Sequence, residues 1–96
     1  MTEAQLRSQI LRYLNSIPGA FFFPIPQGPF SRVGISDLIG LYHGQFFALE
    51  VKTGNNQLTK KQDIFLSKVR AAGGVGQVAR SIEDVKMIME MADELR

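Results

Sequence analysis

The chain has 96 residues, 45% of them hydrophobic and 21% charged, with a formal net charge of +2. This is the make-up of one ordinary globular domain, and it excludes a disordered tail, a collagen and a coiled coil. Cysteine is absent and histidine occurs once, which excludes a disulfide scaffold, a thiolate zinc site, a thiol nucleophile and a His-rich metal centre.

Thr2-Glu3-Ala4-Gln5 is a capping box, with Leu6, Ile10, Tyr13, Leu14 and Ile17 behind it at helical spacing. The pattern predicts a helix from Thr2 to about Ile17, stopped by Pro18-Gly19. Its polar, amphipathic character is unlike a signal-peptide core, so with no cysteine in the chain a reducing, cytoplasmic setting is expected. Ala20 to Ile25 is the longest apolar run and reads as a strand, far too short to span a membrane. Pro24 to Gly34, rich in Pro and Gly, reads as a loop. Ser36 to Tyr42 and Gln45 to Lys52 read as two strands joined by a His43-Gly44 turn. A second capping box, Thr59-Lys60-Lys61-Gln62, opens a helix with Phe65, Leu66, Val69 and Ala72 on one face, ended by Gly73-Gly74. Gly76 to Arg80 reads as a short strand. Ser81 opens a last helix with Ile82, Val85, Ile88, Met89, Ala92 and Leu95 inward, and the Met87, Met89, Met91 alternation is read as packing. The order α-β-β-β-α-β-α, with an antiparallel hairpin and a parallel crossover, predicts an α/β domain with a mixed sheet covered by helices.

A two-residue hairpin loop at His43-Gly44 pairs Tyr42 with Gln45 and fixes the register behind it. Leu41 then faces Phe46, Ile39 faces Ala48, and Asp37 faces Glu50. Opposed residues share a face, with Cβ atoms about 4.5–5.5 Å apart. Lys52, two residues beyond Glu50, projects to the same side. Two adjacent carboxylates repel, and burial makes this worse. A divalent cation removes the difficulty, and carboxylate oxygens suit Mg²⁺ or Mn²⁺. The neighbouring ammonium suits charge developing on a phosphate. Glu3 lies about 20° from Ile10 and Leu14 in helical projection. Gln62 is aligned in the same way with Leu66 and Val69. Both aim polar groups at a shared interior site.

Gly34-Ile35-Ser36-Asp37-Leu38 followed by Phe47-Ala48-Leu49-Glu50-Val51-Lys52 resembles the core of the PD-(D/E)XK nucleases. More narrowly, the chain resembles a stand-alone VRR-NUC domain, the virus-type replication-repair nuclease. The N-terminal helix with its Glu, the Lys-Lys-Gln helix and the strand leading into Ser81-Ile82-Glu83-Asp84-Val85 extend the likeness over residues 1–96 as a single domain. Ser36 stands where the name motif has Pro. The resemblance implies a restriction-endonuclease-like fold and a Mg²⁺- or Mn²⁺-dependent DNA endonuclease, similar to homodimeric Holliday-junction resolvases. Asp37, Glu50 and the Val51 carbonyl match the metal ligands, and Lys52 matches the catalytic lysine. Glu3 matches the helical acidic residue, and Gln62 the glutamine of the following helix.

Around this site Lys60, Lys61, Lys68, Arg70 and Arg80 are candidate phosphate contacts, and Arg32 a candidate groove or junction contact. Phe30 reads as an anchor of its loop. Plainer readings stand beside these. Glu50 and Lys52 could form a solvated ion pair at a strand end. Glu3 could serve only the helix dipole, and Gln62 only the cap. The alternative for the whole chain is a non-catalytic DNA-binding module of the same fold, or a nuclease for flaps or other DNA.

Overall fold

A computed structural model describes residues 1–26 and 34–96. Among these residues seven elements follow the expected order: α1 (Glu3–Asn15), β1 (Ala20–Pro24), β2 (Leu38–Tyr42), β3 (Gln45–Val51), α2 (Lys60–Ala71), β4 (Val75–Ala79) and α3 (Ile82–Leu95). Both capping boxes form. Thr2 and Thr59 each accept the N–H of the glutamine three residues on, and each glutamine side chain accepts the threonine N–H. Such caps satisfy two of the donors that a helix start leaves open.

The four strands form one mixed sheet in chain order, β1-β2-β3-β4, antiparallel except for the parallel β3–β4 pair. The β2–β3 register is the expected one, with Tyr42 on Gln45, Leu41 on Phe46 and Ile39 on Ala48. Its cause is local. His43 and Gly44 both adopt positive φ, 49° and 83°, the conformation of a two-residue turn whose twist suits a hairpin. At the outer edge of β1, the Asn15 side chain accepts the Phe22 N–H at 2.8 Å and donates to the Phe22 carbonyl at 2.9 Å. The end of α1 is thereby fixed to the sheet.

α1 and α3 pack against the sheet and each other. Between them and the sheet lies the main core, built from Leu6, Ile10 and Leu14 of α1, Val85, Met89 and Ala92 of α3, and Phe22, Leu38, Phe47, Leu49 and Val51 of the strands. α2 packs on β3 and β4. It approaches closely because Gly76 has no side chain: a Cβ there would lie 2.7 Å from the Leu66 carbonyl oxygen.

Three expectations are corrected. A sheet covered by helices is expected, but the cover is partial: α2 packs chiefly on β3 and β4, and on that face Leu41 and Phe46 near the hairpin turn are exposed, as is Phe21 of β1 at 65%. Leu95 is 87% exposed rather than inward. In projection it lies about 20° from the half-buried Ile88, so the spacing alone places it inward; as the last residue of α3 it is left outside the core. Ala72 is the α2 cap and is exposed. Element ends also move by one or two residues, with Ser36, Asp37 and Lys52 lying just outside β2 and β3.

Candidate functional site

The hairpin register brings Asp37, the residue before β2, against Glu50 near the end of β3. Both are buried, at 7% and 3% exposure. Acids are seldom buried unless paired or hydrogen-bonded, and here each is held by the other's strand. The Asp37 N–H donates to Glu50 Oε2 at 3.2 Å, and the Val51 N–H donates to Asp37 Oδ2 at 2.9 Å. The other Glu50 oxygen, Oε1, accepts from Gln62 Nε2 at 2.9 Å.

Gln62 therefore fills both of its expected roles. Its N–H and Oε1 close the capping box with Thr59, at 3.2 and 2.9 Å, while its Nε2 reaches Glu50. The cap fixes the start of α2, and the start of α2 fixes the amide on the carboxylate.

Burial and the adjacent Asp37 charge push the Glu50 carboxyl up from 4.5 to about 7, with Lys52 pulling the other way. Near neutral pH the pair thus holds on to a proton that a lone carboxylate would have released. Lys52 is half-buried and makes no ion pair among the described residues. The solvated Glu50–Lys52 pair is therefore not what forms.

Glu3 sits half-buried in the first turn of α1, its Oε2 3.8 Å from Arg7 Nη2. Arg7 Nε lies 3.8 Å from Asp37 Oδ1. Glu3 reaches the acidic pair through Arg7. Among the described residues no three acidic or histidine side chains converge as a metal cluster. Arg7 is the site residue that the sequence reading missed. A signal existed: Arg7 lies seven residues before the buried Leu14, about 20° away in projection, on the stripe that carries Glu3.

The basic candidates divide in two. Lys60 and Lys61 are exposed in the first turn of α2, beside Gln62, and Lys68 is exposed on the same stripe as Lys61. Arg70 and Arg80 instead hold backbone. Arg70 donates to the Gly76 carbonyl at 2.6 Å and Arg80 to the Gly54 carbonyl at 3.0 Å. Both arginines rim a groove of 510 Å³ between β4 and α3 whose lining includes none of Asp37, Glu50, Lys52 or Gln62. Arg32 and Phe30 lie outside the described residues.

The donor set fits a divalent cation. Among the described residues, two buried carboxylates with hard oxygens meet without a hydrogen-bonded cation between them, one kept near neutrality by the other, and Asp37 Oδ1 accepts no hydrogen bond. Asp37, Glu50 and the Val51 carbonyl are the groups able to hold it. No family model and no curated protein matches the chain.

Proposed function

We propose that the chain is a divalent-cation-dependent endodeoxyribonuclease of the VRR-NUC type, with a restriction-endonuclease-like fold. In this reading it works as a cytoplasmic homodimer that cuts branched DNA, four-way junctions foremost. The observation that carries the reading is the buried Asp37–Glu50 pair, with Gln62 on one carboxylate and Lys52 two residues further along the chain. Stability alone does not favour two buried acids that have no bonded cation among the described residues, because desolvation and mutual repulsion both oppose it. A cation site accounts for the arrangement.

Asp37, Glu50 and the Val51 carbonyl would hold Mg²⁺ or Mn²⁺, with Glu3 as a further acid. When bound, the cation supplies Lewis-acid activation of water and screening of phosphate charge. The chain's own groups do the rest. Gln62 fixes the Glu50 carboxylate, and Lys52 offers an ammonium to charge developing on the phosphate or takes part in proton movement at the attacking water. Lys60, Lys61 and Lys68 supply exposed positive charge for neighbouring phosphates. One such site cuts one strand, and two chains related by a two-fold axis meet a two-fold junction.

The test is cleavage of end-labelled four-way junction, flap and linear duplex by the full chain, in Mg²⁺ and in EDTA. Paired symmetric nicks on the junction, lost in EDTA and in a folded Glu50→Ala variant, are expected. Binding without cutting in either Mg²⁺ or Mn²⁺ would replace the nuclease with a non-catalytic DNA-binding module.

A further inference from the structure

Arg7 is built unlike a structural ion pair. Its Nε is shielded from solvent and has no hydrogen-bond partner among the described residues. Its two carboxylate neighbours, Asp37 Oδ1 and Glu3 Oε2, both lie at 3.8 Å, beyond hydrogen-bonding reach. An arginine selected to tie two acids together closes a bidentate fork at about 2.7–2.9 Å. Here the fork is left open, and the side chain remains 32% exposed.

Its position is specific. Asp37 Oδ2 is taken by the Val51 N–H, so among the described residues Oδ1 is the oxygen left to a ligand, and it is the one that faces Arg7. A cation on Asp37 and the guanidinium therefore compete for one oxygen, and at such a separation they repel. A DNA phosphate changes the balance. It is a better partner for an arginine fork than a single carboxylate oxygen 3.8 Å away.

Resting on the nuclease reading, we propose that Arg7 is a phosphate-binding residue of the site that makes cation loading depend on bound DNA. Without DNA the guanidinium balances Asp37 and Glu3 and opposes the cation. With DNA it turns to a phosphate beside the scissile bond and releases Asp37 Oδ1.

The experiment is calorimetric titration of Mn²⁺ into the DNA-free full chain for wild type, Arg7→Gln and Arg7→Lys. It is paired with binding of a four-way junction in Ca²⁺ across a salt series. Arg7→Gln is expected to bind Mn²⁺ at least tenfold more tightly than wild type while binding the junction roughly tenfold more weakly, with a salt slope reduced by about one. Arg7→Lys, which keeps the charge, is expected to retain wild-type Mn²⁺ affinity. Unchanged or weaker Mn²⁺ binding by Arg7→Gln overturns the proposal and makes Arg7 a structural support of Asp37; if Arg7→Gln does not fold, unchanged junction affinity and salt slope in Arg7→Lys with tightened Mn²⁺ binding overturn it equally. Absence of Mn²⁺ binding in wild type overturns the nuclease reading as well, whereas Mn²⁺ binding that Glu50→Ala abolishes and Arg7→Gln leaves alone overturns only the role of Arg7.

Discussion

Asp37 and Glu50 are linked through backbone as well as through charge. The Asp37 N–H donates to a Glu50 oxygen, and the residue after Glu50 donates its N–H to an Asp37 oxygen. The result is a small closed ring at the mouth of the hairpin. Neither carboxylate can withdraw from the other without breaking a buried hydrogen bond, which costs roughly 1–3 kcal/mol for the group left unpaired. The fold thus holds together two groups that repel when both are charged.

The first consequence is a pH dependence of cation binding. Glu50 titrates at about 7 in the folded domain, raised by burial and by Asp37. A cation needs the ionised form, so binding below that pH must displace a proton. Mn²⁺ affinity is expected to rise by up to about tenfold per pH unit below 7 and to level off above it. Calorimetry between pH 5.5 and 8.5 checks this. A flat profile across that range would remove Glu50 from the ligand set.

The same shift bears on stability in the opposite sense. A carboxyl whose folded pKa lies above its unfolded value favours the folded state while protonated. That contribution is complete below about pH 4.5 and is lost as pH rises through 7. The cation-free domain is expected to melt at a lower temperature at pH 8 than at pH 5.5. Glu50→Gln removes the titrating group, at the cost of exchanging one acceptor oxygen for a donor, and is expected to flatten the dependence of the melting temperature on pH between 5.5 and 8. Added Mn²⁺ should stabilise wild type and leave the variant unmoved.

Gln62 and Thr59 separate a helix cap from a site contact. Thr59→Ala removes the Oγ1 half of the cap but leaves the residue 59 N–H holding Gln62 Oε1, and is expected to cost about 1 kcal/mol of stability with little effect on the turnover of folded protein. Gln62→Ala removes the cap partner and the Glu50 hydrogen bond together. It should destabilise to a similar degree and also lower cleavage and shift the pH midpoint for Mn²⁺. Equal activity in the two folded variants would make Gln62 a capping residue alone.

Much of this was legible in the sequence because it is set locally. The His43-Gly44 turn fixes a register, a register fixes which residues oppose one another, and Asp37 then meets Glu50. The two capping boxes announce where α1 and α2 begin, and Gln62 sits where the second one must place it. Less legible was whatever depends on how far one layer reaches over another. No pattern within β2 or β3 tells that α2 stops short of Leu41 and β1. Periodicity assigned Leu95 inward because it counts turns, while the sheet beneath has finite width. Arg7 is hard to read from sequence because an arginine in an amphipathic helix is ordinarily solvated; its alignment with Glu3 and Leu14 is the signal that it faces the acids.

Lys52 offers a test that distinguishes chemistry from electrostatic support. Its ammonium pulls the Glu50 carboxyl down, against burial and Asp37. Lys52→Met should therefore move the pH midpoint for Mn²⁺ binding upward from about 7, and raising the pH should restore cation affinity. If that were all Lys52 did, raising the pH would restore cleavage too. A residue that stabilises charge on the phosphate or moves a proton contributes typically 10²–10⁴-fold to the rate. Cleavage by Lys52→Met is thus expected to remain at least ~100-fold below wild type at a pH where its Mn²⁺ site is full. Recovery of wild-type turnover under those conditions would reassign Lys52 as a tuner of Glu50 with no part in the reaction.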